Sequence, residues 1–305
     1  MFKKLKLLLL RFINRLGYTV YKLPRKPGPT KKMGSIVLGG KALKVPVGNP
    51  LYFHYQQYPN FNQFIGTMAA SIQKRHPMGW AVDVGANIGD TLAIIKSLAS
   101  WPVICVEGDE FCHKILQENA RQFEQVHVVH TFLGDKMESA NIESQKVGWN
   151  RTLLPAKSGS SSETLKFLTL DYVVGEIKQP VIVKLLKVDT EGYDLRIIRG
   201  ARELLERDQP VITFELNREN VEPLGDSVGD FFDFLVGLGY AHFLVNDAYD
   251  RLICPLGKES KALLLDLYQY SNLGQPLYYF DIWAFHQNDR ELFDQVLESE
   301  RVKRI

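Results

Sequence analysis

The stretch AVDVGANIGD, residues 81–90, decides how the chain is read. Small and apolar residues long enough for a buried strand run into two glycines, Gly85 and Gly89, with acids at Asp83 and Asp90. This is the pattern of a strand that turns tightly into a helix around a ligand. In a doubly wound sheet such a turn lies at the carboxyl end of a strand, where ligands bind near the point at which strand order reverses. The two glycines permit close approach of the backbone. The spacing is not G-x-G-x-x-G, because Asn87 stands where the second glycine of a dinucleotide loop belongs. A dinucleotide would also bring a pyrophosphate, which Asp83 and Asp90 repel. S-adenosylmethionine (SAM) brings an ammonium and a sulfonium, for which carboxylates are favourable partners.

Outward from this turn the chain alternates strand and helix. WAVDVG reads as a buried strand, 89–99 as a helix, PVICVEGD as a strand, 110–123 as a helix and VHVVHTFLGD as a third strand. A polar stretch over 136–164 interrupts the rhythm. VIVKLLKVD is then a strong strand, YDLRIIRGARELLER an amphipathic helix, VITFELN a strand and SVGDFFDFLVGLG a helix. YAHFLVND and YYFDIWAFH read as late strands, with no helix expected between them, so one is expected to run antiparallel at an edge. The expected fold is α/β: a mostly parallel, seven-stranded sheet with helices on both faces. Residues 33–79 read as an N-terminal extension packing on a core domain of 80–288, and 289–305 as a C-terminal helix. Residues 24–50 look like a Pro- and Gly-rich linker with short extended pieces, beginning in the basic arm of 1–32 and running into the extension, and 61–75 like a helix.

Carboxylates recur at the expected strand ends. Glu107 closes the second strand and suits the two hydroxyls of a ribose; Asp135, closing TFLGD, suits an adenine amino group. Lys187 and Asp189 share one face of the fourth strand, Glu191 follows at its turn, and Glu215 closes the next strand. One lysine and three carboxylates at a single sheet edge can orient or deprotonate a hydroxyl. Lys187 is read chiefly as the ion-pair partner of a neighbouring carboxylate, and Asp189 is favoured over Glu191 as the base. The spacing requires no metal.

DVGANIGDT, VEGDE and KVDTEGYDLRIIRGARELL resemble, in order and spacing, the FkbM family of SAM-dependent methyltransferases over about residues 80–217. The resemblance implies a class I methyltransferase (Rossmann-like) fold, SAM as methyl donor and O-methylation of hydroxyls, with polyketide macrolides and surface-polysaccharide sugars among the substrate classes. It places the cofactor loop on Asp83, Gly85, Ala86, Asn87 and Gly89, the ribose acid on Glu107, and the active-site motif on Lys187, Asp189, Glu191 and Gly192. Thr190 and Asp194 depart from it, standing where the family often has Val and Glu.

Composition limits the partners. Of 37 Lys and Arg, ten lie in residues 1–32, which hold no acid; the remainder carries 27 bases against 35 acids, a net charge of −8. An acidic body argues against nucleic acid. Residues 2–16 place Phe2, Leu5, Leu8, Leu9, Phe12, Ile13 and Leu16 on one helical face and Lys3, Lys4, Arg11, Asn14 and Arg15 on the other. Such a basic amphipathic helix either lies on an anionic membrane surface or packs on the body. Arg11 interrupts it too early for a membrane span. Three scattered cysteines suit a reduced, cytoplasmic chain, peripheral on the inner membrane face if the arm binds lipid. The expected acceptor is a sugar hydroxyl of a surface or lipid-linked glycan; the alternative is a secondary-metabolite hydroxyl. A nicotinamide oxidoreductase and a non-catalytic membrane adaptor are the readings from other classes. A homo-oligomer is compatible with the sequence.

Overall fold

A computed structural model describes residues 32–47, 49–57, 62–147, 150–156, 162–271 and 278–302. The basic arm, residues 1–24, therefore lies outside the described residues. Among those described, no helix is long and apolar enough to cross a membrane.

The chain opens with an antiparallel hairpin, β1 (Met33–Leu38) and β2 (Lys41–Pro46), followed by α1 (Pro50–Gln57) and α2 (Gln63–Arg75). The linker expected over 24–50 thus contains an ordered two-stranded sheet. Two strands alone are marginal in water. Here Ile36, Leu38, Leu43 and Val45 are buried with Ile88, Ala93 and Ile115 of the body. At about 2 kcal/mol for each side chain removed from water, this contact holds the hairpin down.

The core alternates as expected: β3 (Trp80–Val84), α3 (Asp90–Leu98), β4 (Val103–Glu107), α4 (Glu110–Ala120) and β5 (Val126–His130). Next come β6 (Phe132–Leu133), β7 (Glu138–Val147), β8 (Asn150–Pro155) and β9 (Glu163–Leu168), which form a separate sheet in the order β6-β9-β7-β8. The rhythm-breaking stretch is therefore a second sheet. The main fold resumes with α5 (Leu170–Gly175), β10 (Val183–Val188), α6 (Asp194–Arg199), α7 (Arg202–Asp208) and β11 (Val211–Leu216). The single helix expected over 193–207 is divided at Gly200. A Cβ there would fall on the Gly134 carbonyl oxygen, so the chain passes this point only as glycine. The remainder is α8 (Arg218–Val221), α9 (Val228–Gly237), β12 (Tyr240–Asn246), β13 (Leu252–Gly257), α10 (Lys261–Tyr270), β14 (Phe280–His286) and α11 (Arg290–Val302).

The main sheet has the order β13-β12-β14-β11-β10-β3-β4-β5. Strands β5, β4, β3, β10 and β11 pair in parallel; β14 runs antiparallel between β11 and β12, and β13 antiparallel beside β12. The expected α/β class holds, with two corrections. The sheet has eight strands, because β13 and α10 occupy the segment read as a loop. The reversed strand β14 lies inside the sheet, where Ile282, Ala284 and Phe285 are wholly covered. Both faces of the sheet are packed. Val82, Ile104, Leu186 and Ile212 face the α6, α7 and α9 side; Ala81, Val103, Leu185 and Val211 face the α2, α3 and α11 side. Strand order reverses between β3 and β10, so Val84 and Val188 end at the switch point where a ligand is expected.

Candidate active site

A cavity of about 460 Å³ opens at that switch point. One wall is the loop after β3. Gly85 has φ +74°, and a Cβ on it would coincide with the Asp189 carbonyl oxygen, so the two motif loops touch through backbone. Gly85 and Ala86 amides donate to Val106 O at 3.0 and 3.1 Å, and Asp189 N to Val84 O at 3.1 Å. Asn87 follows at φ 46°. These bonds fix the loop against both neighbouring strands.

Glu107, at the end of β4, accepts from Asn87 N at 2.8 Å and from Asp109 N at 2.7 Å. Burial pushes its carboxyl up to about 7 against the pull of those two amides. Each oxygen keeps a second lone pair for a ligand hydroxyl. Asp90, at the start of α3, is buried and accepts from Tyr55 Oη at 3.1 Å, which ties α1 to the cofactor loop. Burial raises this carboxyl too.

The opposite wall carries the second constellation. Lys187 Nζ lies 3.1 Å from Asp83 Oδ1 and 3.4 Å from Asp189 Oδ2. Burial raises Asp83 to about 6 although Lys187 opposes it. Burial also works against the Lys187 ammonium, but Asp83, Asp189 and Asp90 together hold it above its ordinary value. At neutral pH the pair is ionised. Glu191 adopts φ 55° and accepts from Asn220 Nδ2 at 3.0 Å. Glu215 is driven well above the usual carboxylate range by burial and by Asp189, Glu191, Asp194 and Asp281 around it.

Of the cofactor residues expected from sequence, Gly85, Asn87, Asp90 and Glu107 line the cavity. The structure does not bring the others to its surface. Asp83 is fully buried beneath Lys187, so it acts on the site through that lysine. Ala86 packs into the core, and the Gly89 Cα faces Leu116. Asp135 is exposed and away from the lining. The third strand ends at His130, five residues before Asp135, and Phe132–Leu133 belong to the second sheet. Thr131, Phe132 and Leu133 line the cavity at this strand end instead. All four expected catalytic residues, Lys187, Asp189, Glu191 and Glu215, line one region of it.

Other lining residues lie outside the expected cofactor and catalytic sets. Leu153 comes from the second sheet, Tyr278 and Tyr279 from before β14, and Asn49, Pro50, Leu51 and His54 from the extension. Asn49-Pro50 carries a usable signal, an N-cap residue followed by proline at the first helical position.

The lining contains Asp90, Glu107, Asp109, Asp189, Glu191 and Glu215, and Lys187, its one ammonium among the described residues, is committed to two acids. Asn87 Oδ1 is buried and has no donor among the described residues. Acceptors therefore outnumber donors, which fits the ammonium, sulfonium and ribose hydroxyls of SAM and disfavours a pyrophosphate. Among the described residues no group of three or more His, Cys, Asp or Glu is arranged to hold a metal ion.

Comparison with known proteins agrees with this site. The profile of the Methyltransferase FkbM domain matches residues 83–241. No match was found among curated protein sequences. Among solved structures, the chain is similar to the FkbM methyltransferase of Methylobacillus flagellatus KT at 15% identity, covering 68% of this chain and 44% of that one, with a TM-score of 0.43. It is also similar to a human methyltransferase 10 domain containing protein (12% identity, 93% and 96% covered, TM-score 0.37). A third is the plantazolicin methyltransferase BpumL, solved with SAH (10%, 77% and 88%, 0.37). The chain thus spans less than half the length of the first of these. The domain match takes in both motif loops and more than half of the sequence: the chain belongs to the FkbM methyltransferase family.

Proposed function

We propose that the protein transfers the methyl group of SAM to a hydroxyl of a sugar-type acceptor. The observation that carries this reading is the meeting of the glycine loop with Asp189, Glu191 and Glu215 in one cavity. When bound, SAM supplies a methyl carbon made electrophilic by the adjacent sulfonium. Gly85, Asn87, Asp90 and Glu107 hold its amino-acid and ribose parts.

The three carboxylates take different roles because their surroundings differ. Asp189 is half exposed and held beside the Lys187 ammonium, placed to accept the acceptor's proton as the hydroxyl oxygen bonds to carbon. Glu215, which burial and the surrounding acids hold above its ordinary range, is placed to donate a hydrogen bond to an acceptor oxygen in its protonated form. Glu191, fixed by Asn220, accepts from a second acceptor hydroxyl. Tyr278 and Tyr279, packed edge to face with ring centroids 4.7 Å apart, give the cavity an aromatic border against which a sugar ring can stack. Holding both reactants in one frame supplies much of the rate. The basic arm of residues 1–24 keeps the enzyme beside anionic lipid where lipid-linked glycans are assembled.

The test is calorimetric titration with S-adenosylhomocysteine (SAH) and NAD in parallel, followed by methyl-labelled SAM with neutral glycans and product mass spectrometry. SAH binding and label on a sugar oxygen are expected. NAD binding without SAH binding would overturn the reading. Label only on a free macrolide would replace the sugar with a secondary metabolite. Removing residues 1–24 should abolish sedimentation with anionic liposomes.

A further inference from the structure

The cavity has three sides, and two already have an assignment. Glu107, with Phe132 and Leu133 beyond it, takes the nucleoside; Asp189, Glu191 and Glu215 take the acceptor. The third side is built from Asn49, Pro50, Leu51 and His54 at α1 facing Asp90 and Thr91 at α3. Its α1 half belongs to the extension, outside residues 83–241 that match the family domain.

Asn49 is 1% exposed, yet its Nδ2 has no acceptor among the described residues. Its orientation is not arbitrary. Oδ1 accepts the Leu51 amide at 2.9 Å, and turning the carboxamide over would set Nδ2 against that same N–H, donor to donor. The structure therefore leaves a buried donor beside the cavity, and a buried donor without a partner is costly. The rest of the lining is rich in acids, so a ligand carboxylate would meet repulsion everywhere except where a donor is supplied. Lys187 cannot supply it, being held between Asp83 and Asp189.

We infer that Asn49 is a further cofactor-binding residue, whose Nδ2 donates to the α-carboxylate of the methionine part of SAM. This rests on the proposed use of SAM. The extension then completes the cofactor site, and Tyr55, bonded to Asp90, keeps α1 in place for it. Asn87 Oδ1 faces the opposite need, an acceptor for the ligand's ammonium. One orphaned donor and one orphaned acceptor match the two charged groups of an amino acid.

The test compares SAM with decarboxylated SAM, which keeps the ammonium and sulfonium but lacks the carboxylate. Both are titrated calorimetrically into the wild-type full chain and into Asn49→Asp. That variant preserves the acceptor for the Leu51 amide while replacing the donor with a negative charge. Wild type should prefer SAM by about tenfold or more, the scale of one buried hydrogen bond to a charged group. Asn49→Asp should reverse the order, because the acid-lined cavity then favours the more cationic ligand. Asn49→Ser, which keeps a capping oxygen but no carboxamide donor, should reduce the preference if Asn49→Asp proves unfolded. An unchanged SAM preference in a folded variant overturns the role of Asn49. Failure of the wild type to bind SAM, decarboxylated SAM and SAH alike overturns the SAM reading itself.

Discussion

Lys187 lies directly opposite Asp83 in the register of β10 and β3, and its ammonium bridges the fully buried Asp83 and the half-exposed Asp189. The lysine separates a carboxylate that never meets solvent from one that lines the cavity. It makes the floor of the cavity an ion pair and leaves Asp189 as the accessible end of a three-member chain.

Lys187→Met should therefore destabilise the protein by about 3–5 kcal/mol, since it strands Asp83 without a partner. The loss should depend on pH. Asp83 already titrates at about 6 in the folded protein, above its ordinary 3.8, and without Lys187 it moves higher. Asp83 is protonated in both folded proteins at low pH, so the difference from wild type opens only above about pH 6, where Asp83 ionises beside Lys187 but stays protonated in the variant. Urea unfolding should show a small difference from wild type near pH 4 and the full difference near pH 8. A difference independent of pH would assign the loss to packing.

Cofactor binding should tighten with pH through Glu107. Its carboxyl titrates at about 7, and ribose hydroxyls bond best to the ionised form. Binding then draws the group toward ionisation, releasing protons, so affinity rises from acid toward neutral pH. Between about pH 6 and 8 the ionised fraction grows about tenfold, and the SAH dissociation constant should fall by a comparable factor. Asp83 titrates nearby at about 6, so the decisive comparison is Glu107→Gln, which should bind weakly and with a shallower pH dependence.

The main strands and both motif loops were legible because local rules govern them. β3 and β10 are apolar runs that end in acids and a turn, and parity alone placed Lys187 beside Asp189. What sequence hid was set by distant packing. Asp135 looked like the end of a strand because TFLGD continues an apolar run, but the chain leaves the main sheet at His130. Asp83 looked like a ligand because it sits in the motif, yet register puts it under Lys187. Asn49 lies some forty residues before the glycine loop, and only packing of the hairpin on Ile88 and Ile115 brings it back.

Asp135→Ala follows from this correction as a contrast. The side chain is exposed and outside the cavity, so SAH affinity should stay within about twofold of wild type and stability within about 0.5 kcal/mol. A tenfold loss of SAH binding would return Asp135 to the adenine site.

Asp194 should matter although it is buried and does not line the cavity. Its Oδ2 accepts from Thr190 N at 3.1 Å, Thr190 Oγ1 at 2.8 Å and Gly192 N at 3.4 Å, while Oδ1 accepts from Glu215 N at 3.3 Å. One buried carboxylate thus joins the turn carrying Glu191 to the strand end carrying Glu215. Burial raises it to about 6, with Asp189 adding to the rise and these bonds opposing it. Asp194→Ala removes four acceptor contacts and leaves buried amides unmatched, at about 1–3 kcal/mol for each orphaned group before relaxation. The turn should relax, and Glu191, held at φ 55° by this network, should lose its place. The expected signature is a fall in kcat of about a hundredfold or more with SAH affinity changed far less, because the cofactor loop is anchored separately through Val84 and Val106. Thr190→Val, which removes one hydroxyl and keeps the amides satisfied, should cost about 1 kcal/mol and a few-fold in kcat. Equal losses of SAH affinity and kcat in Asp194→Ala would show that the two loops move as one body and that Asp194 supports the whole site.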